Sequence, residues 1–208
     1  MVEHARRVPD WLAIAPHTLA KLEFFLDLVI KWNPGINLVS ARSISEAWER
    51  HVLDSAQLWP LAAVSSGLWL DLGSGGGFPG LVVAILAQQD ALGMQVRLVE
   101  SDRRKAVFLR EAVRMLQLSV DVQCVRAESI APAKADVVSA RAFAPLTQLL
   151  PLAARHLGPV GFALFPKGVH HRIELEDARR YWHMQTEILG SKTEAGAAIV
   201  KVWDLRNV

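Results

Sequence analysis

The sequence predicts an α/β protein in which a seven-stranded, mostly parallel sheet carries helices on both faces and follows an N-terminal helical extension. Three observations predict it. Before Gly67, apolar residues recur at helical spacing with no strand candidate of comparable strength. After it, short apolar runs alternate with amphipathic stretches. The first of those runs ends in a glycine cluster, "DLGSGGGFPG", Asp71 to Gly80. Parallel strands need crossover connections, usually helices, which cover both faces and make the strands continuously apolar. With 208 residues, 51% of them hydrophobic, the chain can bury one sizeable core. Residues 1–208 therefore read as a single unit, with an extension over 1–66 and an α/β core over 67–208.

In "TLAKLEFFLDLVIKW", Leu19, Leu22, Leu26 and Val29 fall at spacings of three, four and three, the stripe of an amphipathic helix that "NPG" is expected to stop at Pro34. "SISE" predicts a second helix with a capping box of Ser43 and Glu46, ending before Pro60. "LWLDL" is the first strand, and "PGLVVAILA" the first crossover helix, with Pro79 in its first turn. "VRLVE" follows as a strand, then a helix turning Phe108, Leu109, Ala112 and Leu116 inwards. "DVQCVRA", "ADVVSARA" and "GFALF" are the third to fifth strands. Between the last two, "LTQLLPLAARHL" should kink or split at Pro151 and end at Gly158. A helix around "IELEDARR" leads to closing strands near "TEIL" and "AAIVKVW". Trp32 and Trp48 fall on the apolar faces of their helices.

Composition excludes several classes of function. The longest apolar run, Leu81 to Ala87, is far short of the ~20 residues that cross a membrane. The N-terminus lacks the apolar region and cleavage site of a secretory signal, and the lone Cys124 precludes an internal disulfide framework. A cytoplasmic monomer is expected. The formal charge of +2 leaves room for local basic patches. His170 and His171 are adjacent and point in different directions, with no third donor at ligand spacing, so no metal site is expected.

A plain turn needs one or two glycines, whereas this loop holds five of the thirteen, which implies a ligand lying close to the backbone. Gly75-x-Gly77-x-x-Gly80, with Glu100 ending the second strand, satisfies the dinucleotide fingerprint. Asp71-x-Gly73-x-Gly75-x-Gly77 is equally the first motif of Rossmann-like S-adenosylmethionine-dependent methyltransferases. Three details favour the methyl donor. Asp71 at the strand's mouth would face a cationic ammonium and sulfonium and repel a pyrophosphate. The Gly73-Ser74 pair separates the strand from Gly75, and Ala127-Glu128 closes the third strand, where an adenine edge would lie. The rivals are an NAD-dependent oxidoreductase, for which Tyr181 has no convincing relay partner, and a nucleotide-binding regulator without turnover.

"KWNPGINLVS", "RHVLDS", "DLGSGGGFPG", "RAESI", "RAFAPL" and "FPKG" occur in that order from Lys31 to Gly168. Together they resemble the signature of the bacterial small-subunit rRNA methyltransferase G family, also called glucose-inhibited division protein B. The resemblance implies a class I Rossmann-like methyltransferase that moves a methyl group from S-adenosylmethionine to guanine N7 in 16S rRNA of the small ribosomal subunit, at guanine 527 in the family's rRNA numbering. It implies cofactor contacts from Gly73, Ser74, Gly75, Gly77, Phe78, Ala127, Glu128 and Arg141, to which fold logic adds Glu100 on the ribose hydroxyls. Arg141 and Lys167 are expected to position substrate, and Arg126, Arg141, Lys167, Arg50 and His51 to meet RNA. The chain departs from the family's usual pattern at Ala140, where a serine is common, and at Pro166, where a leucine is common. Arg50 and Asp54 are spaced for an i,i+4 ion pair. Arg103, Arg110 and Arg114 share a helical face that reads as solvated. Cys124, placed within a strand, reads as an inert core thiol.

Neutral guanine N7 carries an in-plane lone pair, so its methylation requires no base, and the absence of an obvious catalytic dyad fits that chemistry. The aromatic word of exocyclic-amine methyltransferases is missing after the fourth strand, where the chain reads "SARAFAP".

Overall fold

A computed structural model describes residues 6–90 and 93–208. The reading of the first five residues as lacking a secretory signal lies outside them. Seven strands form one sheet: β1 (Ser66–Leu72), β2 (Gly93–Val99), β3 (Val120–Gln123), β4 (Ala135–Ser139), β5 (Leu157–Lys167), β6 (Trp182–Gly190) and β7 (Ala198–Asn207). Their order is β3-β2-β1-β4-β5-β7-β6, parallel except where β7 runs antiparallel to β5 and β6. The order reverses between β1 and β4, so the ends of those strands diverge into a crevice where ligands of such sheets bind.

The helices are α1 (Pro16–Ile36), α2 (Asp54–Ala56), α3 (Leu58–Ala62), α4 (Gly80–Asp90), α5 (Arg103–Met115), α6 (Leu146–His156) and α7 (His171–Ala178). Side chains alternate across β1: Trp69 joins the core shared with α1, α4 and α5, while Leu70 and Leu72 join the core under α6 and α7. Residues Gly80 to Ala87 of α4 are all buried because α1 and α2 lie on its outer side. This explains why "LVVAILA" is apolar all round rather than striped. Phe108, Leu109, Ala112 and Leu116 are buried, and Asp102 caps α5 by accepting from the amides of Arg104 and Lys105.

Several boundaries differ from the sequence reading. Pro34 does not stop α1; it sits inside the last turn, which ends at Asn37 in the left-handed conformation. The buried Asn33 secures that end by accepting from the Val39 amide at 2.8 Å. No capping box forms at Ser43, which bonds to Ser40 and His51 instead. The second helix begins as a π-helical turn over Trp48–Leu53, continues through α2, and places Pro60 within α3 rather than beyond it. Pro151 neither splits nor ends α6, and Gly158 is already the second residue of β5. Cys124 lies just past β3 and is half-buried, so it is not a strand-interior thiol.

Candidate functional site

Two cavities open along the carboxyl ends of the strands. The smaller, about 350 Å³, is lined by Gly73, Ser74, Gly75, Gly76 and Phe78 from the glycine loop, by Glu100 after β2, and by Arg126, Ala127 and Glu128 after β3. Gly73, Gly75 and Gly77 all have positive φ, a conformation that side chains disfavour, and this bends the loop around the end of β1. The loop is pinned to its neighbours. The amides of Gly73 and Ser74 donate to the Val99 carbonyl at 2.9 and 3.1 Å, and the Gly75 amide donates to the Glu100 carboxylate at 2.8 Å. The other Glu100 oxygen accepts from the Asp102 amide at 2.7 Å. A carboxylate takes about four hydrogen bonds, so two acceptor positions remain for a ligand hydroxyl. Ala127 and Glu128 form a short 3-10 turn that follows β3 rather than closing it.

Asp71 does not face the mouth. Its carboxylate is fully buried, accepting from the Ser139 hydroxyl at 2.7 Å and from the Gly80 amide at 3.2 Å, while Ser139 accepts from Trp69 Nε1 at 2.8 Å. Asp71 therefore ties β1, β4 and the start of α4 together. Burial pushes its pKa up to about 6, against the lowering effect of its hydrogen bonds. An interior strut and a cofactor contact look alike in sequence because both put an acid at the end of a strand.

The larger cavity, about 770 Å³, runs from Arg50, His51 and Asp54 past Arg141 to Lys167, Glu174, Thr193 and Glu194. Arg141 is its hub. Its guanidinium donates to the Arg50 carbonyl at 2.8 Å, to Asp54 at 3.1 Å and to His51 Nδ1 at 2.7 Å, and lies 5.4 Å from the Phe78 ring centroid. The expected Arg50–Asp54 pair is replaced: Asp54 binds Arg141, and Arg50 reaches Glu46 across an exposed 3.6 Å. The π-helical turn is the cause. There the Asp54 amide donates to Glu49, five residues back, so side chains four apart no longer stack on one face.

Because Arg141 can only donate, His51 Nδ1 is an acceptor and Nε2 carries the proton that goes to Ser43 Oγ at 2.8 Å. Burial, then the charges of Arg141 and Arg50, push the His51 pKa down to about 3. His51 is thus a neutral hinge between two segments rather than a cation for RNA phosphates. We expect its ring carbon NMR signals to stay those of the neutral Nε2–H tautomer from pH 8 down to 5. A titration near the ordinary histidine value would show that Arg141 does not hold it.

Lys167, like Arg141, is engaged within the protein. Its ammonium donates to the Ala144 carbonyl and to Glu174, each at 2.8 Å, and Glu174 also accepts from the Leu146 amide at 2.9 Å. Lys167 and Glu174 thereby fasten the loop between β4 and α6 from its far side. Of the predicted RNA contacts, Arg126 and Arg50 are exposed at the cavity rims. Arg114 pairs with Glu111 and Arg110 reaches the Val122 carbonyl, so that helix face is a solvated one with its own partners. Nothing in the sequence points to Ser139 or Glu174 in these roles, Asp54 is legible there only as a partner of Arg50 in "RHVLDS", and Phe143 only as part of "RAFAPL". Phe143 left a signal, as an aromatic in the loop after the fourth strand.

Arg141→Ala is expected to lower stability by roughly 2–4 kcal/mol, because a half-buried charged partner and its hydrogen bonds are lost together. Turnover should fall further, since the loop loses its fastening. Arg141→Lys should recover only part of both, as an ammonium cannot reproduce the planar fork. Urea denaturation and initial rates on each variant check this, and wild-type stability in the alanine variant would contradict it.

The fold is that of S-adenosylmethionine-dependent methyltransferases. A methyltransferase of this kind from Aquifex aeolicus superposes with a TM-score of 0.59 at 13% identity, covering 86% of this chain and 97% of that one. A ribosomal protein L11 methylase from Lactobacillus delbrueckii superposes with a TM-score of 0.58 at 15% identity, covering 74% and 78%. In sequence, the family profile for rRNA small subunit methyltransferase G matches residues 18–199. A ribosomal RNA small subunit methyltransferase G from Cereibacter sphaeroides is 49% identical over 208 residues, the full length of both chains. One from Gluconobacter oxydans is 46% identical over 94% of this chain and 98% of that protein. The chain belongs to the rRNA small subunit methyltransferase G family.

Proposed function

We propose that the protein transfers the methyl group of S-adenosylmethionine to N7 of one guanine in 16S rRNA of the small ribosomal subunit, the guanine numbered 527 in the family's rRNA. The observation that carries this reading is the meeting of the two cavities. Arg141, Ala142 and Phe143 line both, so a cofactor on the glycine loop and a base in the larger cleft would touch there.

The residues fit the cofactor. Where Gly75 would carry a side chain, no other heavy atom lies closer than 3.7 Å, which leaves the loop open to a ligand at that point. The Glu100 carboxylate is held at the rim by two backbone amides. When bound, S-adenosylmethionine supplies an electrophilic methyl group on a sulfonium. Gly73, Ser74, Gly75 and Phe78 would hold its amino-acid end, Glu100 the ribose hydroxyls, and Ala127 and Glu128 the base; Gly77, expected among these contacts, lies outside the cavity lining, where a side chain would meet Leu81 and Phe25 of the core. Arg50 and Arg126, exposed on the two rims, would meet RNA phosphates.

The larger cleft supports the choice of N7. The groups beside Arg141 and Lys167 that could take a proton are bound to others: His51 to Arg141, Asp54 to Arg141 and Thr193, Glu174 to Lys167. A lone pair that is already free needs none of them. Catalysis then rests on alignment, which can contribute roughly 7–11 kcal/mol. The test supplies labelled S-adenosylmethionine to small subunits and, separately, to naked 16S rRNA from a strain lacking the gene. Label at guanine N7 in either substrate is expected. Label elsewhere, or none, would overturn the assignment.

A further inference from the structure

The loop after β4 is fastened on both sides of one aromatic residue. Arg141 anchors it to Arg50, His51 and Asp54, and the Ala144 carbonyl accepts from Lys167. Between these anchors Ala142 has a φ of 48°, a left-handed conformation that few non-glycine residues adopt. Phe143 follows it. Its side chain is 42% exposed, lines both cavities, and lies against Gly73 so closely that a Cβ there would come within 2.1 Å of the ring. An apolar ring left partly exposed between two fastened neighbours, at the seam of the two cavities, is placed where a flat ligand could stack on it.

We propose that Phe143 is the residue on which the target guanine stacks, and that its ring face stabilises the positive charge that methylation places on the base. This rests on the methyl-transfer reading above. In the step, N7 donates its lone pair to the methyl carbon and the carbon–sulfur bond returns its pair to sulfur. Sulfur loses its charge, the imidazole ring of the guanine gains one, and no proton moves. That gain of charge on the base needs a stabilising neighbour. Arg141 at the same seam is cationic and would oppose it, and Ala142 has nothing to offer. The negative face of an aromatic ring attracts a cation and is effective where water is excluded. Its attraction is greater for the methylated base than for the neutral one, so it acts on the transition state more than on substrate binding.

Two variants and two kinds of readout test this. Phe143→Leu keeps apolar bulk without the ring face, and Phe143→Tyr keeps the face. With S-adenosylhomocysteine present, 7-methylguanosine 5′-monophosphate should show an upfield ring-current shift of its N7-methyl protons with the wild type and F143Y, and none with F143L. Single-turnover methylation of small subunits should fall about 30-fold in F143L, the size of a desolvated cation–π contact (roughly 2 kcal/mol at 1.36 kcal/mol per tenfold), and recover in F143Y. The affinity for S-adenosylhomocysteine, measured by calorimetry, should stay within about threefold, since the ring is not asked to bind the cofactor. An unchanged rate in F143L, or a ring-current shift that survives in F143L, would overturn the proposal. So would a loss of cofactor affinity with a normal rate at saturation, which would make Phe143 a cover for Gly73 alone. If the wild type fails to label small subunits while the shift depends on Phe143, the substrate reading fails and the stacking role stands.

Discussion

Gly73→Val is expected to abolish cofactor binding while leaving the protein folded. The glycine has a φ of +66°, and a side chain there would run into the Phe143 ring at 2.1 Å. The left-handed conformation costs a β-branched residue about 1–2 kcal/mol or more, a tolerable loss for a domain of this size. The clash is relieved by turning the half-exposed ring outwards. The branched side chain then stands in the smaller cavity beside the loop. Calorimetry with S-adenosylhomocysteine should show affinity reduced on the order of 100-fold or more, a loss of ~3 kcal/mol, with circular dichroism unchanged. Retained affinity would place the ligand away from the loop.

Asp71→Ala is expected to lower stability by roughly 2–4 kcal/mol, because the Ser139 hydroxyl and the Gly80 amide lose their buried acceptor. Asp71→Asn should cost less and should also change the pH dependence. Native Asp71 binds its proton near pH 6, whereas the unfolded chain binds it near 3.8. The native state thus holds more protons between those values. The contribution of this group is fully present below about pH 4 and is lost as pH rises through 6, by up to roughly 3 kcal/mol at 1.36 kcal/mol per pK unit. His51 acts in the opposite direction: its folded pKa is depressed, so its contribution is lost as pH falls from 6.5 towards 3. The His51 term is common to the wild type and D71N. Urea denaturation at pH 4, 5, 6 and 7 should therefore show the wild type losing stability relative to D71N as pH rises. A constant difference would mean that Asp71 is not desolvated in the native state.

The catalytic core was legible because its signals are local. Strand-length apolar runs and the glycine loop each announce themselves within a few residues, and the structure places Glu100 and Ala127 beside the loop, where strand ends must converge. Asp71 was placed rightly along the chain and wrongly in space. Nothing in "DLG" tells whether a carboxylate turns towards solvent or inwards to Ser139, a partner 68 residues away. The N-terminal segment was harder to read for a different reason. Pro34 is carried by a helix end that Asn33 secures from within the core. The single extra residue of the π-helical turn rotates Asp54 away from Arg50 and towards Arg141, which a 3.6-residue reading cannot anticipate. The sequence points to Arg141 and Lys167 as contacts for substrate, yet both are held by the protein's own groups, Arg141 by His51, Asp54 and the Arg50 carbonyl and Lys167 by Glu174 and the Ala144 carbonyl.

That π-helical turn has a consequence for inheritance and engineering. Here the turn belongs to the first 66 residues and the arginine it grips belongs to the loop after β4, so neither half carries a finished cleft. A chimera joining the extension of one relative to the core of another would inherit the right sheet and a mismatched clasp. One residue inserted or deleted between Trp48 and Leu53 would have the same result, leaving the fold recognisable and the loop after β4 unlatched.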